Sequence, residues 1–343
     1  MSLKDLIPNT SPIAFPGLFG DWRFTAGPKA LDLGNGIYWY GVLIACGMLL
    51  AIWFCMKQAP KFSLTEDNVM DTGLWCIPAA ILGARAYYII FYLDLYKNAD
   101  GSLDFGRMVR IWDGGLAVYG GLIAAFLTGY AVSRAKRFSY LAMADNAVMG
   151  VLIGQSIGRW GNFVNVEAFG SYCTGVQRMV SPHIDAYLHA NPSLLPGFTE
   201  EQVLSMTEIP VHPTFFYESM WLLLGFVLLA LYTSRRRYDG ELALLYFFWN
   251  GLGRFWIEGL RTDSLMLGSV RVSQLLAAVL VVVSAVLLLW ANSRYKTGTL
   301  PDWMCIVKWP EKPAEENDAS AGPAAGEETP ETTTEEEPDG KAN

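Results

Sequence analysis

Residues 36–56 read GIYWYGVLIACGMLLAIWFCM and contain no charged side chain across 21 positions. An α-helix needs about 20 consecutive apolar residues to cross the hydrocarbon core of a bilayer. Uncharged runs of 19 and 22 residues follow at 114–132 and 272–293. These three runs therefore predict three transmembrane helices.

The composition of the chain points the same way. Of its 343 residues, 52% are hydrophobic and 17% are charged, whereas soluble domains usually carry about 25% charged residues. Its 12 tryptophans and 16 tyrosines are typical of aromatic belts at membrane interfaces. The chain is therefore predicted to be an integral membrane protein.

Four further apolar runs are interrupted by ionisable residues. They are 74–93 with Arg85, 141–162 with Asp145 and Arg159, 214–233 with Glu218, and 241–259 with Arg254 and Glu258. A charge inside a bilayer is costly, so each is a candidate functional residue; we expect Arg85 to pair with a carboxylate. The predicted fold is an all-α integral membrane protein with seven transmembrane helices.

Basic residues in alternate loops predict the orientation. They follow the first, third, fifth and seventh spans: Lys57 and Lys61; Arg134, Lys136 and Arg137; Arg235, Arg236 and Arg237; Arg294 and Lys296. The positive-inside rule places these loops in the cytoplasm, where their plain role is attraction to anionic lipids. With no signal-peptide cleavage pattern before it, the first span is expected to act as an uncleaved insertion signal.

Three regions are predicted along the chain. Residues 1–35 form an N-terminal extracytoplasmic segment, 36–295 a seven-helix membrane catalytic domain, and 296–343 a cytoplasmic acidic tail. The long outer loop 164–211 is predicted to form a small periplasmic head with short helices. From 311 onward the tail has 11 acidic and two basic residues, a composition typical of disorder; a solvated extension is its plainest interpretation.

The cysteines and histidines do not predict a metal or cofactor. Five cysteines occur without a CxxC pair, and three histidines without an HExxH motif. Such spacing suggests neither a zinc site nor a disulfide framework. We expect no metal, no cofactor and no nucleic-acid partner, and a monomer.

Residues 158–170, GRWGNFVNVEAFG, bring polar groups to the end of the fourth span. Arg159 and Asn162 are three residues apart and share a helix face, and Asn165 and Glu167 follow as the chain leaves the membrane. A guanidinium is the planar, permanently charged donor suited to phosphate. The alternative is a buried Arg–Glu pair that only fixes helix packing.

The sixth span ends GRFWIEGLR, with Arg254, Glu258 and Arg261 on one stripe. Two arginines around one carboxylate keep it ionised and leave positive charge for an anion. Snorkelling to the interface explains Arg261 but not Arg254, which lies about two turns deeper.

Three aromatic or histidine residues near the outer boundary complete the candidate site. Tyr119 could donate a hydrogen bond or act as a base, or be a packed aromatic. His212, at the start of the fifth span, could be a base or an ordinary helix cap. Tyr40 could simply belong to an aromatic belt. Together with the arginines, these groups suit an anion with apolar surroundings, such as a phospholipid head group.

Five motifs now carry a resemblance to a known family. GRWGNFVNVEAFG resembles the signature GRxGNFxNxExxG of the prolipoprotein diacylglyceryl transferases. The other four match in the family's order over roughly residues 35–295: IYWYG (37–41), WDGGLAVYGGLI (112–123), VHPTFFYE (211–218) and GRFWIEGLR (253–261). The resemblance implies seven membrane helices with a periplasmic head in the bacterial cytoplasmic (inner) membrane. It also implies transfer of the diacylglyceryl group of phosphatidylglycerol to the lipobox cysteine of a prolipoprotein, with release of glycerol phosphate.

The resemblance also assigns site residues. It implies catalytic roles for Arg159, Arg254, Tyr119 and Asn162, and substrate binding by Arg159, Tyr40, Glu167, Gly170, His212, Glu258 and Arg261. The family carries His or Tyr at the position of Tyr119, so the group that takes the thiol proton stays open between Tyr119 and His212. A transporter or a structural scaffold is the alternative function. A transporter would predict internal repeats, and a scaffold leaves the five polar motifs unexplained.

Overall fold

The computed structural model describes residues 11–25, 27, 29–31, 37–98, 100–262, 266–267 and 270–306. The acidic tail from 311 lies outside these residues, as do parts of the N-terminal segment 1–35. The predictions made for those parts stay predictions.

The described residues are mostly helical. Their α-helices are, in chain order, α1 (Pro16–Phe19), α2 (Trp39–Gln58), α3 (Glu66–Phe91), α4 (Phe105–Val109), α5 (Val118–Lys136), α6 (Tyr140–Asn165), α7 (Pro182–Ala190), α8 (Glu200–Ser205), α9 (Thr214–Tyr232), α10 (Glu241–Glu258) and α11 (Val272–Lys296). Short strands form three antiparallel pairs: β1 (Pro12–Ala14) with β2 (Arg23–Thr25), β3 (Lys29–Leu31) with β4 (Ile37–Tyr38), and β5 (Met266–Leu267) with β6 (Val270–Arg271).

Five helices of the described residues are long and apolar enough to cross a membrane. They are Trp39–Phe62, Glu66–Phe91, Tyr140–Asn165, Thr214–Arg235 and Val272–Lys296, each counted with any short 3₁₀ turn that continues it. α5 and α10 are also long helices at the places where the remaining two spans were predicted. α10 carries three charged residues, Glu241, Arg254 and Glu258, which lower its apolar character. The predicted count of seven spans therefore rests on these two helices.

The long helices pack in a chain of neighbours. α2 packs on α6, α6 on α9, α9 on α10 and α10 on α11, while α3 packs on α5. Where α3 crosses α5, a Cβ added at Gly83 would lie 2.7 Å from the backbone oxygen of Gly120. Small residues allow such close approach between membrane helices, so glycine is needed at this crossing.

Asp145 fixes the start of α10 against α6. Its completely buried carboxylate accepts hydrogen bonds from the backbone amides of Gly240 at 2.9 Å and Ala243 at 2.8 Å. It also pairs at 3.2 Å with Arg236, whose side chain is only 4% exposed. A carboxylate at a helix N-terminus satisfies amides that have no partner within the helix. This network places α9, α10 and α6 relative to one another.

A compact group of short elements lies between the end of α6 and the start of α9. α7, α8 and the segment 166–213 share a core that includes the completely buried Ile184, Leu188, Val203 and Val211. β1 joins this group, because Ala14 and Val180 exchange two backbone hydrogen bonds of 3.0 Å. The described start of the chain therefore packs on the segment that was predicted to form a head.

The contacts of Arg85 differ from the predicted pairing with a carboxylate. Its guanidinium donates to five backbone carbonyls, those of Arg107, Met108, Arg110, Gly114 and Gly115, at 2.5–3.0 Å. Among the described residues it has no carboxylate partner, so the predicted ion pair is wrong. The segment between α3 and α5 supplies carbonyl oxygens instead, because Gly114 and Gly115 adopt φ values of 85° and 75° that turn their backbone toward the arginine.

Replacing Arg85 with lysine is expected to destabilise the protein by about 2–4 kcal/mol, because an ammonium group has only three donors and no planar fork. Thermal unfolding in detergent, followed by tryptophan fluorescence, measures the change. The matched control is Arg134→Lys at an exposed position of α5, where about 0.5 kcal/mol or less is expected. Equal unfolding temperatures for the two variants would contradict the role given to the five carbonyls.

Candidate active site

A cavity of about 320 Å³ lies at one end of the helix bundle. The first turns of α5, α9 and α11 and the last turns of α6 and α10 enclose it. Its polar lining residues are Tyr119, Gln155, Arg159, Glu218, Asn250, Arg254 and Ser273, and the remaining lining is apolar or glycine. The cavity combines charged groups with apolar walls, and it lies at the end of the bundle where α6 leads into the segment 166–213.

Glu218 on α9 is the centre of the charged groups. Its carboxylate pairs with Arg159 of α6, with Nη1 of Arg254 on α10 at 3.0 Å and with Nη1 of Arg261 at 4.0 Å. The Glu218 side chain is 5% exposed, while those of Arg159 and Arg254 are 28% and 35% exposed. The carboxylate is therefore buried behind the guanidinium groups, which face the cavity.

The charged cluster has a positive surplus. Nη2 of Arg254 also lies 3.5 Å from Glu258 Oε2, and the Glu258 side chain is 4% exposed. These five side chains, three arginines and two carboxylates, together carry a formal charge of +1. In surroundings of low dielectric constant a positive charge attracts an anion more strongly than it would in water, so the cavity is suited to an anion.

Two serines hold Arg159 and Glu218 on facing helices. Ser156 Oγ donates to the backbone oxygen of Ser219 at 3.0 Å, and Ser219 Oγ donates to that of Ser156 at 2.9 Å. The indole of Trp160 donates to Ser219 Oγ at 3.1 Å. Because these residues adjoin Arg159 and Glu218 in sequence, the bonds fix both ends of the ion pair.

Two tryptophans join α9 to α10. The rings of Trp221 and Trp249 stack with centroids 4.2 Å apart, and each indole donates to the other residue's backbone oxygen at 2.9–3.0 Å. Gly225 and Gly253 make room for the two rings. The stack fixes the distance between Glu218 and Arg254, which lie on the same two helices.

Glu167 accepts hydrogen bonds from two asparagines at the end of α6. Its Oε1 lies 2.9 Å from Asn162 Nδ2 and 3.3 Å from Asn165 Nδ2. The residues on either side, Val166 and Ala168, have φ values of 52° and 55°. Such positive values are unfavourable for residues other than glycine, and most unfavourable for β-branched residues such as valine. The strained turn folds Glu167 back onto Asn162.

Three other predicted site residues form close backbone or ring contacts. The Tyr40 ring lies against Gly161, where an added Cβ would be 2.5 Å from it. The Gly170 amide donates to the His212 carbonyl at 2.8 Å. His212 Nδ1 lies 3.2 Å from the Tyr217 hydroxyl, and burial lowers the pKa of His212, which favours its neutral form.

The sequence profile of the family described as Prolipoprotein diacylglyceryl transferase matches residues 28–290. The chain belongs to the prolipoprotein diacylglyceryl transferase family. The resemblance drawn from the five motifs is thereby confirmed.

Relatives named phosphatidylglycerol–prolipoprotein diacylglyceryl transferase align over most of their length. The protein of Listeria welshimeri is 40% identical over 264 residues, which are 77% of this chain and 89% of the relative. That of Bacillus velezensis is 39% identical over 276 residues, with 78% and 95% covered. That of Geobacillus kaustophilus is 40% identical over 267 residues, with 76% and 92% covered.

The structure of this transferase brings some of the predicted site residues together. Arg159, Arg254 and Tyr119 line the cavity, and Arg261 joins them through Glu218 while Glu258 joins them through Arg254. In the described part of the chain, the lining does not include Asn162, Tyr40, Glu167, Gly170 or His212. Sequence reasoning did not single out Gln155, Asn250 and Ser273. It named Glu218 as a charge inside a predicted span but did not assign it to the site.

The contacts of Glu167 lead to a prediction for this transferase. Glu167→Ala is expected to lower the transfer rate about tenfold. Asn162 loses its hydrogen-bond acceptor, and the strained turn loses the side-chain contacts that stabilise it. Glu167→Gln should keep most of the rate, since the amide oxygen can accept the same two bonds. Initial rates with a lipobox peptide measure both variants. A glutamine variant as slow as the alanine variant would mean that the charge, and not the acceptor, is required.

Proposed function

We propose that this enzyme transfers the diacylglyceryl group of phosphatidylglycerol to the lipobox cysteine of a bacterial prolipoprotein, which is the first step of lipoprotein maturation. The observation that carries the proposal is the cluster of three arginines around buried Glu218, which opens into a cavity with apolar walls. A phosphodiester carries a negative charge, which suits the arginines, and the apolar walls suit the acyl chains. The names of the relatives support the same substrates.

In the proposed reaction the cysteine sulfur attacks the glycerol carbon that carries the phosphate. The C–S bond of a thioether forms, the C–O bond to phosphate breaks, and its electron pair stays on the phosphate oxygen. Glycerol phosphate leaves with one more negative charge than the phosphodiester had. Arg159 and Arg254 would stabilise the charge that develops, which is the kind of preorganised electrostatic stabilisation that lowers barriers most.

The thiol must lose its proton because the thiolate is the nucleophile. Of the two candidate acceptors, Tyr119 lines the cavity while His212 lies outside its described lining. We therefore favour Tyr119 for this role. Asn162, Tyr40, Glu167, Gly170 and His212 would support and shape the site from the adjoining segment, and Glu258 and Arg261 would hold the arginine cluster and phosphate.

We also propose the membrane topology. α5 and α10 would complete seven spans. The cavity is lined by the first turns of α5, α9 and α11 and by the last turns of α6 and α10, which are the ends that the predicted orientation places on the outer side. The N-terminus and the head around α7 and α8 would then be periplasmic, and the tail beyond 296 cytoplasmic, in the bacterial inner membrane. The active site would face the outer side, where a monomer would meet secreted prolipoproteins.

Reconstitution in vesicles of phosphatidylglycerol with a lipobox peptide tests the proposal. Mass spectrometry is expected to show a peptide heavier by one diacylglyceryl group, and a Cys→Ser peptide should remain unmodified. Folded protein that binds phosphatidylglycerol but leaves it and the peptide intact would favour the transport alternative instead.

A further inference from the structure

A second cavity, of about 490 Å³, lies between α9, α10 and α11. Leu228, Leu245 and Leu288 contribute to its apolar part, and Tyr232 and Asn292 lie among its few polar lining residues. Its volume falls within the 300–1,000 Å³ typical of ligand sites. The cavity therefore has an apolar body and a polar end, as a phospholipid molecule does.

The two cavities lie against opposite halves of α10. α10 has 18 residues and a length of about 27 Å at 1.5 Å per residue, close to the roughly 30 Å of a hydrocarbon core. The first cavity contacts α10 between 250 and 257, and the second between 241 and 249. The middle of the helix therefore separates them, and with α10 spanning the membrane as proposed above, each cavity faces a different leaflet.

The stacked tryptophans stand between the cavities. Trp221 lines the first cavity and Trp249 the second, and their rings are 4.2 Å apart at an angle of 12°. Their reciprocal hydrogen bonds hold both rings to the two helices. The stack therefore separates a lipid bound at the arginine cluster from the second cavity, which is left open to a ligand from the other leaflet.

The polar end of the second cavity lies in a positively charged part of the surface. Arg237 Nε donates to the completely buried Glu241 at 2.9 Å, so these two charges compensate each other. Arg235, Arg294 and Lys296 are exposed at the same end of the bundle, and Lys296 follows Asn292 by four residues and shares its face of α11. Positive side chains at this end of the bundle favour an anionic ligand.

We propose that the second cavity binds an anionic phospholipid of the leaflet opposite to the donor lipid. One acyl chain lies along Leu228, Leu245 and Leu288, and the head group lies near Arg235 and Lys296. This lipid is not a substrate, because the arginine cluster is about half a membrane away. It would tie α9, α10 and α11 together below the active site, so the proposal goes beyond the transfer reaction.

Native mass spectrometry of the full chain in detergent, titrated with phosphatidylglycerol, tests this proposal. Wild type is expected to bind two lipids. Leu228→Trp and, from the facing helix, Leu288→Trp fill the cavity and should weaken one binding event at least tenfold, with transfer activity retained. Leu231→Trp is the matched control, because Leu231 is 72% exposed on the same helix and outside the cavity lining; it should bind two lipids.

Three results would overturn the proposal. One is unchanged binding in both filled variants. Another is equally tight binding of phosphatidylcholine with the same acyl chains at the second site. The third is a second lipid that binds only when 311–343 are removed, because the acidic tail would then occupy the positive surface in the full chain. Transfer assays on the same samples report separately on the proposed reaction.

Discussion

Arg254→Lys is expected to lower kcat for diacylglyceryl transfer about 100-fold, within the range of about 10²–10³ found when one donor to a developing charge is removed. Arg254 contacts Glu218 at 3.0 Å through Nη1 and Glu258 at 3.5 Å through Nη2. A guanidinium can hold both carboxylates and still present a donor to phosphate, since it has five N–H groups in one plane. A lysine ammonium is a point charge without this fork.

Initial rates at several surface concentrations of phosphatidylglycerol separate kcat from KM for this variant. KM should change less than kcat, because lysine keeps the positive charge that attracts the phosphodiester. Arg134→Lys, the exposed control on α5, should keep the wild-type rate. A kcat for Arg254→Lys within threefold of wild type would exclude the bridging geometry as the source of catalysis.

The sequence allowed the functional role of the arginines to be predicted, but not the role of Glu218 as their shared partner. The two predictions depend on different kinds of information. Arg159 and Arg254 stand out because a charge within a span is costly wherever the helix packs. Glu218 carries the same signal, but its role as shared partner depends on α6, α9 and α10 meeting at one point. The sequence spacing within a helix does not contain that contact, which comes from the packing of three helices.

Asn162 and Arg85 show two other cases in which the spacing of residues in the sequence does not predict the partner of a side chain. Asn162 shares a helix face with Arg159, yet its partner is Glu167, which returns through the positive φ of Val166. Propensity disfavours that conformation for valine, so the turn could not be predicted. For Arg85, a carboxylate was the expected partner, whereas a glycine-containing segment offers five carbonyls. Backbone oxygens are present in any sequence and give no signal of their own.

Glu218→Gln is expected to lower kcat at least 100-fold and to destabilise the protein. Removing one member of a buried ion pair costs about 3–5 kcal/mol, and we expect the lower end, because the Arg159 and Arg254 side chains are 28% and 35% exposed. The formal charge of the cluster rises from +1 to +2, so binding of phosphatidylglycerol should not weaken. The loss then arises from arginines that are no longer held in place.

Glu258→Gln is the matched control for this prediction. Glu258 is as buried as Glu218, but its ion pair is with Arg254 at 3.5 Å, whereas Glu218 has three arginine partners. Its replacement should therefore cost less stability and less activity. Thermal unfolding, lipid binding and single-turnover transfer measure the three effects separately. If Glu218→Gln bound lipid more weakly in proportion to its loss of rate, Glu218 would be part of the binding site for the lipid, and positioning of the arginines would not explain the result.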